Sequence, residues 1–89
     1  MTYQFYGVKD TLQNEGKGRF LNPALSGSEQ EAIRQFKSNV NNIPLWRENP
    51  ADFELWYLGN FDEETGELKG EMRKIGNGRS VLNVTETQA

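Results

Sequence analysis

Residues 52–68, DFELWYLGNFDEETGEL, alternate as a half-buried strand does, yet large apolar side chains occupy both phases of the alternation. Phe53, Leu55, Tyr57 and Phe61 share one phase with Gly59, whereas Trp56 and Leu58 share the other with Glu54 and Asn60. Successive side chains of a strand point to opposite faces, so the first set reads as a core face. The second set is a further apolar face that needs a partner of its own. Asp and Gly chemistry in DEETGE predicts a turn with Gly66 at positive φ. ELKGEMRKI, residues 67–75, reads as the returning strand of a hairpin.

Outside this hairpin, YQFYGVK (3–9) is aromatic and β-branched, with Tyr3, Phe5 and Gly7 in one phase and Gln4, Tyr6 and Val8 in the other, which predicts a first strand. Residues 11–19 are polar, carry two glycines and read as a loop. RFLNPAL (19–25) is a short extended segment interrupted by Pro23. SGSEQEAIRQFKSNVNN contains two overlapping capping boxes, Ser26 with Glu29 and Ser28 with Glu31, of which one can be the cap. Ala32, Ile33, Phe36 and Val40 then form one apolar stripe, and the helix ends near Asn41 or Asn42, ahead of Pro44. Residues 43–51 form a loop with two prolines, and SVLNV (80–84) is an edge-strand candidate before a frayed polar end.

The expected fold is α+β: a small antiparallel β-sheet of about residues 3–9, 53–61 and 67–74, with one helix of about 28–41 packed on its Phe53/Leu55/Tyr57 face. Residues 1–75 are expected to form the single domain and 76–89 a C-terminal tail. At 89 residues with 35% hydrophobic content there is room for one core, and a domain of this size gains from self-association.

The chain has no cysteine and no histidine, which removes disulfides, thiolate nucleophiles and the usual proton shuttle at neutral pH. No pair of carboxylates, serines or lysines carries a catalytic spacing, so the expectation is a protein that is not an enzyme. The acids of DEETGE lack calcium-loop spacing, and GKGR and GNGR lack a phosphate-loop pattern; neither a metal nor another cofactor is expected. The absence of a basic start followed by an apolar run, and of any membrane-length apolar window, predicts a soluble intracellular protein that does not enter a membrane.

The net charge of −3 is unevenly distributed. Residues 1–47 hold six basic and four acidic side chains (+2), residues 48–71 hold eight acids against Lys69 (−7), and residues 72–89 hold three basic and one acidic side chain (+2). Polyanions are therefore expected to avoid the acidic DEETGE turn and to follow Lys9, Lys17, Arg19, Arg34, Lys37 and Arg47, joined by Arg73, Lys74 and Arg79. Trp46, beside Arg47, and Trp56, on the second face, have no evident place in a two-layer core and are candidate platforms for stacking bases. The alternative use of that face, with Tyr6, Trp56 and Leu58, is a subunit interface.

Three blocks carry a family likeness: YGVKD (6–10), EAIRQF (31–36) and NPADFELWYLGNFDEETGEL (49–68). They resemble the small nonstructural protein of gokushoviruses, the icosahedral single-stranded-DNA phages of the microvirus family. That family runs Tyr-x-Ile-Arg-Asp, then Ala-x-Arg-x-Phe, then Pro-x-Asp-Phe-x-Leu-Tyr-x-Ile-Gly-x-Phe-Asp before an acidic turn with Gly. The corresponding positions here are Tyr6, Val8, Lys9 and Asp10; Ala32, Arg34 and Phe36; and Pro50, Asp52, Phe53, Leu55, Trp56, Leu58, Gly59, Phe61 and Asp62. The third block is the most specific. The 11–25 segment is longer than usual in the family, and the chain beyond about Met72 extends past the end of many relatives.

The resemblance implies a nonstructural phage protein of the host cytoplasm that binds single-stranded DNA with little sequence preference and supports single-strand genome synthesis or packaging. Independently of the resemblance, the small size of the domain and its second apolar face lead to the expectation of a homo-oligomer, a dimer being favoured. The competing expectation is a non-catalytic, homo-oligomeric adaptor for a phage or host replication protein.

Overall fold

The computed structural model describes residues 2–81. Strands β1 (Thr2–Asp10), β2 (Arg19–Ser26), β3 (Phe53–Asp62) and β4 (Leu68–Asn77) form one antiparallel sheet in the order β2-β1-β3-β4. Helix α1 (Glu29–Asn42) crosses one face of it, and the short helix α2 (Pro44–Glu48) follows. The chain is thus a small α+β domain whose single long helix covers one side of an antiparallel sheet.

Of the two capping boxes, the second is used. The Ser28 hydroxyl oxygen accepts the Glu31 N–H at 3.1 Å, and Ser26 instead donates its hydroxyl to the Ser28 carbonyl at 2.9 Å. This satisfies one of the donors that every helix start leaves open. At the other end Pro44 cannot continue α1, and the chain turns at Ile43 to start α2 with the proline at its first position.

The stripe predicted from the sequence lies inward: Ala32, Phe36 and Val40 are buried against Tyr6, Phe53, Leu55 and Tyr57, with Ile33 partly buried beside them. Each fully covered aliphatic or aromatic side chain contributes about 1.5–3 kcal/mol, so these few residues hold the two layers together.

Residues 43–51, expected as a loop, hold α2 and a 3-10 turn (Pro50–Asp52). The sheet and its aromatic rings differ from the sequence expectation in four further ways. First, residues 19–26 form a full strand, which makes the sheet four-stranded. Pro23 is tolerated because β2 is an edge strand pairing only with β1. The intervening loop closes on Asp10, whose carboxylate accepts the Leu12 N–H at 3.1 Å and the Gln13 side-chain amide at 3.0 Å.

Second, Tyr6 is not on the face of Trp56: it is 5% exposed and belongs to the core, 5.6 Å from the Tyr57 ring. Third, Trp46 has a place in that core. Carried on α2, it stacks on Phe53 with ring centroids 4.7 Å apart at 20°, and it lies 6.4 Å from Phe36.

Fourth, Phe61 leaves the core face. Phe5 pairs with Gly59 while the next residue, Tyr6, pairs with Tyr57, so β3 holds one extra residue, Leu58. Such a bulge reverses the phase beyond it. Asn60 accordingly accepts the Tyr57 hydroxyl at 2.7 Å on the helix side, whereas Phe61 meets Phe5 on the opposite side at 6.4 Å. Gly59 takes φ +150°, and a Cβ there would overlap the Lys69 carbonyl oxygen, so the bulge depends on glycine.

The second hairpin closes as expected. Gly66 has φ +79°, and Asp62 accepts the Glu64 N–H at 2.9 Å, which draws its carboxyl below the usual range. The sequence placed the start of the tail at residue 76, but β4 continues to Asn77. A 3-10 turn (Gly78–Ser80) then brings Gly78 so close to Pro50 that a Cβ would strike its backbone. Of the edge strand expected over 80–84, Ser80 ends this turn, Val81 packs against the core, and the rest lies outside the described residues.

Candidate nucleic-acid interface

β1 alternates regularly, with Tyr6 and Val8 under the helix and Tyr3, Phe5, Gly7 and Lys9 on the open side of the sheet. Ladder partners share a face, so Gly7 places Trp56 there, Lys9 places Phe20 and Glu54, and Tyr3 places Phe61. The bulge at Leu58 adds rather than subtracts: Trp56 and Leu58 before it, and Phe61 after it, all face the same way. The open side is therefore an apolar band running the length of the sheet. The side chains along it are partly rather than fully buried.

At one end of the band is a compact polar-aromatic cluster. The Phe20 and Trp56 rings meet edge-on with centroids 5.9 Å apart, and the Lys9 ammonium lies 5.8 Å and 5.7 Å from the two rings. Gly7 makes the packing possible, since a Cβ at this position would come within 3.0 Å of Leu58 Cδ1 and 3.6 Å of Phe20 Cδ1. The Trp56 indole N–H donates to Glu54 Oε1 at 3.0 Å, and the Lys74 ammonium sits 3.0 Å from Glu54 Oε2. Burial alone would raise the Glu54 pKa, but the hydrogen bonds from Trp56 and Lys74, with the charges of Lys74 and Lys9, outweigh it and hold the carboxyl below its ordinary value.

The cluster presents an indole fixed at its N–H edge, with one cation over the ring and another at its rim. This arrangement suits a flat π-system carrying a negative charge nearby, because ring faces attract cations and stack on other rings. The acidic turn is remote: Lys9 and Thr2 are seven residues apart on β1, and Asp62 pairs with Thr2, which puts roughly 23 Å between cluster and turn.

The other basic residues anticipated from the sequence do not join this cluster. Lys17 lies in the exposed β1–β2 loop, and Arg19 is exposed at the start of β2, opposite Asp10 in the ladder. Arg34 and Lys37 project from the outer side of α1, Arg34 being 82% exposed with Glu31 3.7 Å away, and Arg47 is exposed on α2. Arg73 lies on the helix side of β4, 2.8 Å from Glu29 and 5.1 Å from the Tyr57 ring; the Glu29 hydrogen bond raises its pKa. Arg79 is exposed in the terminal 3-10 turn. Of the anticipated set, the fold gathers Lys9, Trp56 and Lys74.

It adds Phe20, Glu54, Phe5 and Phe61, which sequence reasoning missed. Phe20 becomes visible only if residues 19–26 are read as a strand, and Phe61 only if the Leu58–Gly59 bulge is recognised. The opposite side of the sheet has a cavity of about 270 Å³ between α1 and β2, lined by Tyr6, Val8, Leu25, Ala32 and Phe36 among others. Among the described residues no group of three or more acids could hold a metal ion, and no helix is long and apolar enough to cross a membrane.

A family model described as phage ORF5 protein matches residues 3–81 of the chain. No curated protein matches, and no solved structure matches.

Proposed function

Because the chain belongs to the phage ORF5 protein family, we propose that it is a nonstructural bacteriophage protein that binds single-stranded DNA on the open face of its sheet. The gokushovirus resemblance of residues 6–68 supports the finer reading: sequence-tolerant binding in the host cytoplasm that assists synthesis or packaging of a single-stranded genome. The observation that carries it is the Trp56 ring, on an uncovered sheet face with Lys9 5.7 Å from its centroid and Lys74 held at its edge by Glu54. Bases stack on such rings for about 1–3 kcal/mol each whatever their identity, and the cations meet the phosphates. The reading involves no catalytic step and no cofactor.

Titration of a fluorescent oligothymidine across a salt series tests it. Binding is expected to weaken as salt rises, with a shallow slope of about two to three released counterions, since few cations line the face. No binding at the lowest salt would overturn the reading.

The cavity beneath α1 favours a second reading, a non-catalytic adaptor that takes an apolar peptide of a phage or host replication protein. β2 borders the cavity, and Ala24, Ala32, Phe36 and Leu55 among its lining residues offer apolar contact. Pull-down with wild-type chain and an Ala24→Asp variant separates the two, since Ala24 pairs with Tyr6 on the helix side and lines the cavity. A partner lost with Ala24→Asp while oligothymidine binding persists supports the adaptor, and unchanged capture counts against it.

A further inference from the structure

We propose that the free edge of β4 is a docking surface for a second copy of this chain, paired antiparallel about Gly70. The sheet has two edges and they are not equivalent. On β2, Pro23 offers no backbone N–H, and an extra residue between Leu21 and Ala24 disturbs the ladder, both devices that discourage edge pairing. β4 has no proline, and every residue from Leu68 to Lys74 is exposed.

The side chains of β4 are self-complementary in one register. Leu68, Gly70 and Lys74 pair with Phe61, Gly59 and Trp56 and so share the open face with Met72, whereas Lys69 pairs with Asn60 and lies with Glu71 and Arg73 on the helix side. Leu68 and Met72 are each 60% exposed. A two-fold axis normal to the sheet at Gly70 sets Leu68 against Met72 of the second copy, and Lys69 against its Glu71, each contact occurring twice. The axis at Glu71 would instead set Lys69 against Arg73, like against like. At Met72 it would set Met72 against Met72 and Glu71 against Arg73, whose guanidinium is already 2.8 Å from Glu29, but Lys69 against Ile75 and Leu68 against Gly76. The Gly70 register alone among these gives both Leu68 and Met72 an apolar partner and Lys69 an acid.

Gly70 itself fits this reading. A Cβ at this position would meet nothing within 4 Å among the described residues, so none of them requires glycine there. Glycine inside a strand often marks the close approach of another backbone. Neither Lys69 nor Glu71 is in a salt bridge among the described residues. The product is a continuous eight-stranded sheet with both helices on one side and both open faces on the other, the two Trp56 rings roughly 30 Å apart. The pairing stands without DNA; where the open face binds DNA, it supplies two sites on one surface.

The test is light scattering of DNA-free protein over a concentration series. Wild-type chain, 10.2 kDa, is expected to approach twice that mass. Lys69→Glu sets an acid against Glu71 of the other copy, and Glu71→Lys sets a lysine against its Lys69, each contact occurring twice, so each variant alone is expected to be monomeric. An equimolar mixture restores both ion pairs in a heterodimer and is expected to regain the doubled mass. Because both substitutions are at exposed positions, circular dichroism should match wild type, and a misfolded variant could not restore the dimer on mixing. A wild-type monomer at every concentration, a Lys69→Glu dimer as stable as wild type, or a mixture that stays monomeric would each overturn the proposal.

Discussion

Glu54 holds Trp56 by accepting its indole N–H at 3.0 Å, while its other oxygen lies 3.0 Å from the Lys74 ammonium. One carboxylate thus fixes the orientation of the half-buried ring and masks one of the two cations beside it. Release of Lys74 should strengthen phosphate contact, and loss of the hydrogen bond should loosen the ring.

Replacing Glu54 with Gln keeps an acceptor for the indole and frees Lys74. The expected outcome is tighter oligothymidine binding at low salt and a salt slope steeper by about 0.7, the increment for one added phosphate contact on a single strand. Fluorescence titration at four or more salt concentrations reads both quantities.

The same carboxylate makes stability depend on pH. Its folded pKa is depressed below the ordinary glutamate value of 4.5, so the unfolded chain takes up the proton first as pH falls. The stabilisation is present in full above about 4.5 and is lost as pH falls through the lower folded value. Urea unfolding of wild type and Glu54→Gln from pH 6 to pH 3 should show the difference between the two proteins shrinking with acidity.

The two tryptophans should separate cleanly. Trp56→Ala is expected to weaken oligothymidine binding by about 1–3 kcal/mol, roughly five- to 150-fold, with little loss of stability. Trp46→Ala removes a ring stacked on Phe53 and should destabilise the fold by up to about 3 kcal/mol, toward the low end for core aromatics because the indole is only partly buried. Its binding per folded molecule should be unchanged. Chemical denaturation paired with titration distinguishes them.

Gly59→Ala tests the bulge. The new Cβ meets the Lys69 carbonyl, and φ +150° is a backbone conformation alanine strongly disfavours. A loss of at least about 2 kcal/mol is expected. Amide exchange should show the loss concentrated in the β3–β4 hairpin.

Ser28→Ala should cost about 1 kcal/mol through loss of the cap to Glu31 N–H. Ser26→Ala should cost less, because the Ser26 hydroxyl bonds the Ser28 carbonyl and does not cap the helix directly. Thermal unfolding of the two variants ranks them.

Local chemistry made much of the fold legible. The capping signals, the 3.6-residue stripe of Ala32, Phe36 and Val40, the alternation of Phe53, Leu55 and Tyr57, and the Asp-Gly turn each arise from nearest neighbours along the chain. All four appear in the structure where the pattern set them. Charge and aromatic surplus likewise single out Lys9, Lys74 and Trp56, although nothing in their spacing indicates that they meet.

What the amino-acid order determined by itself was therefore the helix, the second hairpin and the existence of two apolar phases in residues 53–61. Only the tertiary structure decided which rings fill which face. One extra residue at Leu58 reverses the phase of everything beyond it, sending Phe61 outward beside Phe5, and the ladder between β1 and β3 draws Tyr6 inward onto Tyr57. Pairing across strands is a long-range choice settled by packing, and a shift of a single residue exchanges inside for outside.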